Sequence, residues 1–411
     1  MNDDEMRNDI IRQFEEMLKT NENYFFDVDE YLDIIDEYIS LANYNMADKA
    51  IEIGLSQYPD NLDILLYKAE LFSLQDRLSK AESIIKKLKQ IDAERIEIPM
   101  LEAEIYSRKH MHYEAVRALQ DALKLPDSDK GEIYEMITVE YMYIENYSLA
   151  LEAALQSLKY DDENTMSLYN AITCFDLLDQ PDQAIAFLQN YLQTRPFNEV
   201  AWSLLGKKYI DKADYQKAID ALDYAIAIDD RFLGAYYDKA YAYTQLKDYE
   251  RALEFYKLTL EISDPTAFTF YHIANIYQYL NDDAQAVNYY FKAVDEDPGY
   301  YKSWIKLVQI KIKQKQYKHA LELTQKALEI INNQELFELL AEIYTLEKDY
   351  YNAIPAYEMS LKLGAVRLPV ILKLSGLYQQ TGQLEKFRKL LLEAKKHFPD
   401  SKEIKNLMQG N

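Results

Sequence analysis

Residues Glu199–Arg231 read EVAWSLLGKKYIDKADYQKAIDALDYAIAIDDR, and the spacing of their apolar positions predicts two antiparallel helices. The first helix carries the bulky Trp202 and Tyr209 on either side of Gly206. The second helix carries Ala218, another small residue, near its start. Small residues let two helix backbones approach while bulky side chains pack around the crossing. One such pair cannot bury its apolar face alone, so the stretch needs similar pairs on both sides.

This spacing resembles the tetratricopeptide repeat (TPR), in which W-x2-L-G-x2-Y is followed by A-x3-F and a turn, with a period of about 34 residues. In this chain the pattern is carried by Trp202, Leu205, Gly206 and Tyr209, and then by Ala218, Leu222, Ala225 and the turn at Asp229 and Asp230. The resemblance implies an all-α fold, a right-handed α-solenoid (superhelix) of tandem helix-turn-helix repeats.

Similar patterns recur over residues 28–401 and predict eleven tandem repeats, with one residue inserted near 125–131 and one deleted before the tenth repeat. The predicted repeats start near residues 28, 62, 96, 131, 165, 199, 233, 267, 301, 334 and 368. Residues 1–27 contain an amphipathic stretch that predicts an N-terminal capping helix. Residues 402–411 predict a short C-terminal cap or tail.

Composition indicates a cytoplasmic protein without membrane contact. The acidic N-terminal stretch has no apolar core of signal-peptide length, and no run approaches the roughly eighteen apolar residues that a membrane span needs. The single cysteine, Cys174, excludes an intramolecular disulfide and fits a reducing compartment. Cys174 occupies an inward-packing position of its repeat, so we expect a buried structural thiol.

The net charge of −24 is distributed unevenly along the 411 residues. Residues 1–200 carry 18 basic and 41 acidic side chains, whereas residues 301–411 carry 18 basic and 12 acidic ones. An acidic half repels a phosphate backbone, which disfavours nucleic acid as a partner there. Two interpretations of the acidic half remain open. It confers solubility, or it steers a basic partner toward the protein.

Nothing in the sequence points to catalysis, a metal or a cofactor. The chain contains no H-E-x-x-H, no cysteine pair, no phosphate-binding glycine loop and no G-x-S-x-G. The nearest histidine pair, His110 and His112, is two residues apart, a spacing that directs two helical side chains to different faces. We therefore predict a protein that is not an enzyme and binds neither cofactor nor metal.

The TPR resemblance also implies where a ligand would bind. In that family the concave groove is lined by the first helix of each repeat, at its second, fifth, ninth and twelfth positions. Carried over to the first four repeats, these positions give an acidic lining with apolar gaps, which includes Asp63, Glu70, Glu97 and Glu104. In repeats seven to nine they give an aromatic and amide-bearing lining with a basic end, made of Tyr237, Tyr241, Phe268, Tyr271, Asn275 and Lys302.

One known TPR binding mode, the carboxylate clamp, is not supported. The clamp requires Lys and Asn in one repeat, Asn in the next, and basic residues in the third. Lys302 suits the third place, but Tyr237, Tyr241 and His272 stand where the first Lys and the two Asn are needed.

These observations predict an interaction scaffold that holds a peptide or helix of a partner protein in its concave groove. Two alternatives stay open: a nucleic-acid-associated regulator that uses the basic C-terminal repeats, and a structural solenoid that self-assembles through its oppositely charged ends. The sequence leaves the partner's identity and the oligomeric state undetermined.

Overall fold

The computed structural model describes residues 3–20, 24–126 and 128–409, with side chains described from residue 7 onward. These residues form 24 α-helices and contain no strand, which confirms the all-α solenoid class. The chain divides into two compact units, Met1–Phe187 and Leu188–Asn411, called unit 1 and unit 2 below. The division falls inside helix α11 (Pro181–Thr194).

Unit 1 begins with ten helices: α1 (Asp3–Thr20), α2 (Val28–Ser40), α3 (Tyr44–Gln57), α4 (Leu62–Leu74), α5 (Leu78–Ile91), α6 (Glu97–Arg108), α7 (His112–Ala122), α8 (Lys130–Tyr143), α9 (Tyr147–Tyr160) and α10 (Thr165–Leu177). Beyond α11, unit 2 contains α12 (Glu199–Asp211), α13 (Tyr215–Ile228), α14 (Leu233–Gln245), α15 (Tyr249–Ile262), α16 (Ala267–Tyr279), α17 (Asp283–Glu296), α18 (Tyr301–Lys313), α19 (Tyr317–Ile330), α20 (Gln334–Leu346), α21 (Tyr350–Leu363), α22 (Leu368–Gln380), α23 (Leu384–His397) and α24 (Lys402–Gln409).

Asparagine and aspartate side chains begin many of these helices. Asp27 forms a capping box at α2: its carboxylate accepts the Glu30 amide at 2.9 Å, and the Glu30 carboxylate accepts the Asp27 amide at 2.8 Å. Asn61, Asn164 and Asn198 accept a backbone N–H in the same way at the starts of α4, α10 and α12. Each cap satisfies an amide that lacks an intrahelical partner, which fixes where the helix starts.

The turns inside the helix pairs share one backbone feature. Within the described residues a positive φ recurs at intervals of 33 to 35 residues, at Ala42, Asp76, His110, Glu145, Asp179, Ala213, Lys247, Asn281, Lys315, Lys348 and Gly382. Each lies just after the first helix of a pair and reverses the chain toward the second. A left-handed residue is a common way to end a helix, and glycine usually occupies it. Here only Gly382 does.

Helix pairs cross closely where small residues meet. A Cβ atom added to Gly206 on α12 would lie 2.6 Å from Leu222 Cγ on α13, so the two helices approach to a distance that only glycine allows. Ala218 on α13 is fully buried at the same crossing. The close approach that the motif predicts at Glu199–Arg231 is therefore present.

The hydrophobic core is a series of local clusters. The first runs from Ile10 and Phe14 of α1 to Leu71 of α4, and the last joins Ile404 of α24 to Ile371 and Ala394. Each cluster connects helices that are close in sequence, as expected where repeats contact mainly their neighbours.

The grouping of the helices into eleven repeats, with caps at residues 1–27 and 402–411, stays a prediction. Residues 1, 2, 21–23, 410 and 411 of those terminal segments lie outside the described residues, as does residue 127 in the predicted insertion.

Candidate functional site

An open groove of about 740 Å³ lies along unit 1 and is lined by helices α2, α4, α6 and α8 and the turns before α6 and α8. We call it the unit 1 groove. Its walls and floor are made of Leu32, Asp36, Asp63, Leu66, Tyr67, Glu70, Arg95, Ile96, Glu97, Met100, Leu101, Glu104, Asp129, Glu132, Ile133 and Met136. All four carboxylates predicted for the acidic lining, Asp63, Glu70, Glu97 and Glu104, belong to it. Their role in binding stays a prediction.

Helical periodicity explains why these side chains share one surface. On α4, Asp63, Leu66 and Glu70 are three and four residues apart, which places them on one stripe of the helix. The same spacing recurs on α6 as Glu97, Met100 and Glu104. Stacking these helices side by side joins their stripes into a floor of apolar side chains with carboxylates along it.

Arg95 is a groove residue that the motif positions of the first helices do not predict. It lies in the turn before α6, and its guanidinium forms ion pairs with Asp63 of α4 and with Glu97 of α6, the latter at 3.2 Å. The groove is therefore acidic with one basic residue among its lining. Arg95 and Glu97 are two residues apart, and this short separation is a sequence signal for their ion pair. The groove positions taken from the TPR resemblance lie on the first helices only, so they do not include a turn residue such as Arg95.

Glu70 differs from the carboxylates around it. Asp36 is paired with Arg7 of α1 at 2.5 Å, and Glu104 accepts a hydrogen bond from Arg108 at 2.8 Å. Glu70 is half-buried and has no ion-pair partner among the described side chains. Burial raises its pKa, and the negative charges of Glu104 and Asp36 raise it further.

The second predicted lining lies in unit 2, on α14, α16 and α18. Tyr241 and Phe268 are 41% and 46% exposed, and Lys302 is also exposed. Tyr237 is half-buried: its ring packs edge-on against Phe268 at 5.4 Å, and its hydroxyl shares a hydrogen bond with Thr269. These contacts bring part of the predicted set together on neighbouring helices.

Two other members of that set have internal partners. Asn275 accepts a hydrogen bond from the hydroxyl of the buried Tyr290 at 2.6 Å, so its carbonyl oxygen is already engaged. The ring of Tyr271 packs against those of Tyr290 at 5.9 Å and Tyr300 at 5.5 Å. Both side chains thus contribute to packing within unit 2, and the sequence pattern alone gave no sign of this.

His272 lies beside this lining and is neutral at physiological pH. Its ring is 4.2 Å from that of Phe268 and 5.3 Å from that of Tyr256. Burial, together with the positive charge of Lys302, lowers the pKa of His272 to about 4. A neutral, enclosed imidazole supports packing here rather than recognition of an anionic group.

Sequence patterns did not indicate an aromatic surface in unit 2. Trp202 packs against the buried Leu222 and Ala225 of α13, as its place in the motif predicts, but part of its ring also reaches the surface. The ring of Trp202 is half-buried, stacks on that of Tyr224 at 4.4 Å and donates its Nε1–H to the Pro196 carbonyl at 2.8 Å. Two depressions are each lined by both of these rings. Phe197, next to it, is 81% exposed.

The Cys174 thiol and the possible metal ligands of the described residues do not form a reactive site. Cys174 is fully buried, as its inward position predicts, and burial raises its pKa to about 11, so it remains a thiol at neutral pH. No group of three or more His, Cys, Asp or Glu within the described ranges could hold a metal ion. No helix in the same ranges is both long and apolar enough to traverse a bilayer.

Comparison with known proteins gives two family matches. Residues 204–267 and residues 269–299 each match a model described as a tetratricopeptide repeat. No curated protein matches the chain. The matched segments contain the close helix crossing at Gly206 and most of the aromatic lining of unit 2.

Several solved structures are similar to the chain over different lengths. MamA is 25% identical over 42% of this chain and 95% of its own, with a TM-score of 0.37. PilF of Pseudomonas aeruginosa is 18% identical over 52% of this chain and 97% of its own, with a TM-score of 0.41. The Cut9–Hcn1 hetero-tetramer of the APC/C contains a chain that is 12% identical over 93% of this chain and 96% of its own, with a TM-score of 0.39. The two TPR matches and the 24 tandem helices of the described residues are consistent with a TPR-type repeat protein.

Proposed function

We propose that this chain is a non-enzymatic, cytoplasmic interaction scaffold that binds a peptide or helix of a partner protein in the unit 1 groove. One observation carries the proposal: four helices, α2, α4, α6 and α8, contribute to a single open groove that combines an apolar floor with acidic walls. Grooves of this kind hold an amphipathic helix or an extended segment through regularly spaced side-chain anchors.

The apolar floor is suited to such anchors. Leu66, Met100, Ile133 and Met136 come from three consecutive first helices and line the groove together. Methionine is unbranched and flexible, so Met100 and Met136 can adapt to different apolar side chains. A groove of about 740 Å³ has room for several such side chains.

The charge of the groove favours a basic partner. Seven carboxylates and one arginine belong to its described lining, namely Asp36, Asp63, Glu70, Glu97, Glu104, Asp129, Glu132 and Arg95. Arg7 and Arg108 each neutralise one further carboxylate from outside. The remaining negative charge would attract basic segments and increase their rate of association.

In unit 2, Tyr241, Phe268 and Lys302 are the predicted site residues with the most accessible side chains, and we propose them as a secondary contact surface. Tyr237, Tyr271 and Asn275 would then support that surface through their internal contacts. Exposed aromatic rings supply contact area at a low cost in side-chain entropy.

The alternative of nucleic-acid binding by the C-terminal repeats is less well supported. Lys373 is paired with Glu342 at 2.9 Å, Lys386 with Glu358 at 2.9 Å, and Arg367 with Glu338 at 2.7 Å. These cations already have partners within the unit, which reduces the positive charge available to phosphates.

Photo-crosslinking from defined positions in cells tests the proposal. A photoreactive amino acid placed at Met100 should crosslink a discrete partner protein, identified by mass spectrometry. The matched control places the same group at Tyr113, an exposed residue of α7 outside the groove lining. Identical crosslinked proteins from both positions, or none from Met100, would contradict binding in the groove.

A further inference from the structure

We infer that Glu70 is the specificity-determining residue of the unit 1 groove and that it receives a Lys or Arg side chain of the bound segment. The inference rests on the proposed function, because it assumes that a segment of another protein occupies the groove. It adds the chemistry of the partner: a basic residue flanked by apolar ones.

Arg95 illustrates how this groove accommodates a cation. Its guanidinium lies between carboxylates of two successive repeats, Asp63 on α4 and Glu97 on α6. A planar guanidinium presents several donors that match carboxylate oxygens. Glu70 and Glu104 sit on the same two helices, seven residues further along each, so the geometry of the first pair is repeated two turns away.

No described residue of the groove lining places a cation between Glu70 and Glu104 as Arg95 does between Asp63 and Glu97. Glu104 is bound by Arg108, one turn further along α6, and Asp36 by Arg7 of α1. Glu70 lies among these carboxylates without an ion-pair partner of its own in the described part of the chain. The burial and negative neighbours that raise its pKa disfavour its charged form, and the positive charge of a ligand cation would offset that effect.

The surroundings of Glu70 also suit the stem of a long basic side chain. Leu66 and Tyr67 lie one turn before it on α4, and Met100 and Leu101 line the groove from α6. Lys and Arg place their methylene groups along apolar surface while the charged end reaches a polar partner. The same floor extends past Glu70, so apolar residues next to the basic one would contact it as well.

Selection from a phage-displayed library of random dodecapeptides tests this inference with the full chain as the target. The Met100→Trp variant, which obstructs the groove floor with a bulky ring and is called the filled variant, serves as the counter-target. We expect the enriched peptides to carry a Lys or Arg with apolar neighbours and to lose binding to the filled variant. Enriched groove-binding peptides without a basic residue would overturn the role of Glu70 and leave the scaffold function standing. No enrichment over the filled variant would overturn groove binding itself.

A double-mutant cycle then assigns the contact. The most enriched peptide is compared with a version in which its Lys or Arg is replaced by norleucine, by fluorescence anisotropy. We expect the substitution to weaken binding at least about tenfold on the wild-type chain and less than about twofold on Glu70→Gln. Glu152→Gln, on an exposed part of α9, removes the same charge outside the groove and should keep the tenfold difference.

Two measurements complete the test. Circular dichroism melts of each variant confirm that it is folded. Sedimentation of the chain with and without peptide examines whether a second copy is the occupant. Self-association that the peptide abolishes, or an unchanged tenfold difference on Glu70→Gln, would overturn the inference.

Discussion

Glu70 combines burial with negative neighbours, which makes its charged form unfavourable in the free protein. A raised pKa means that the folded state binds a proton more tightly than the unfolded state, so this group favours folding at low pH and opposes it at neutral pH. The carboxylate is therefore tolerated at a cost in stability, a pattern typical of residues retained for binding.

Replacing Glu70 with Gln should accordingly raise the melting temperature at pH 7. The gain should shrink as the pH falls through the raised pKa of Glu70, because the wild-type side chain then becomes neutral as well. Scanning calorimetry at several pH values measures both effects, with Glu152→Gln as the control. A melting temperature that falls at pH 7 would mean that Glu70 makes stabilising contacts in the free protein.

At the scale of a helix pair, two glycines provide a matched comparison. A Cβ at Gly206 would collide with Leu222, whereas a Cβ at Gly376 on α22 would meet nothing within 4 Å. Gly206→Ala should destabilise the protein by about 1–3 kcal/mol through overpacking. Gly376→Ala should stabilise it by about 0.5–1 kcal/mol, because alanine favours the helix. Urea unfolding of both variants measures the difference, and equal effects would refute the close crossing.

The turns inside the helix pairs give a second prediction at this scale. Ala213 holds a left-handed conformation with φ of 58° that costs a residue with a Cβ about 1–2 kcal/mol. Ala213→Gly should remove part of this conformational cost. After the larger backbone entropy of glycine is subtracted, the free energy of unfolding should rise by about 0.5–1 kcal/mol. Asn281 has the same conformation, but asparagine tolerates it better, so Asn281→Gly should gain less. Denaturant midpoints compare the two variants.

At the scale of the whole molecule, the local core clusters predict local damage. Ala218 is fully buried between α12 and α13, and Ala218→Trp should overpack that crossing by about 1–3 kcal/mol or more. Hydrogen exchange should accelerate first in α12, α13 and their neighbours, while α20–α23 in the same unit serve as the internal reference. Uniform acceleration along unit 2 would show that its repeats unfold as one cooperative body.

The sequence by itself determined which side chains share a helix face. The TPR resemblance named the positions of the acidic lining, which are Asp63, Glu70, Glu97 and Glu104. Spacing explains why they share a surface, because side chains three, four and seven residues apart fall on one stripe of any α-helix. The sequence also predicted which helices pair, because small residues such as Gly206 mark where two helix backbones approach closely. Both are properties of a local pattern that is repeated along the chain.

Only the tertiary structure decided which of those side chains are available to a ligand. Arg95 reaches Asp63, 32 residues earlier, because stacking brings its turn against the preceding repeat. The sequence pattern predicts that the Asn275 amide is available to a ligand, yet its carbonyl oxygen accepts a hydrogen bond from the hydroxyl of Tyr290. Ten of the eleven left-handed turn positions hold a residue other than glycine, so the sequence did not indicate their conformation. Contacts between repeats depend on distances that a one-dimensional pattern does not contain, so the charge and accessibility of the groove emerge only when the helices are packed.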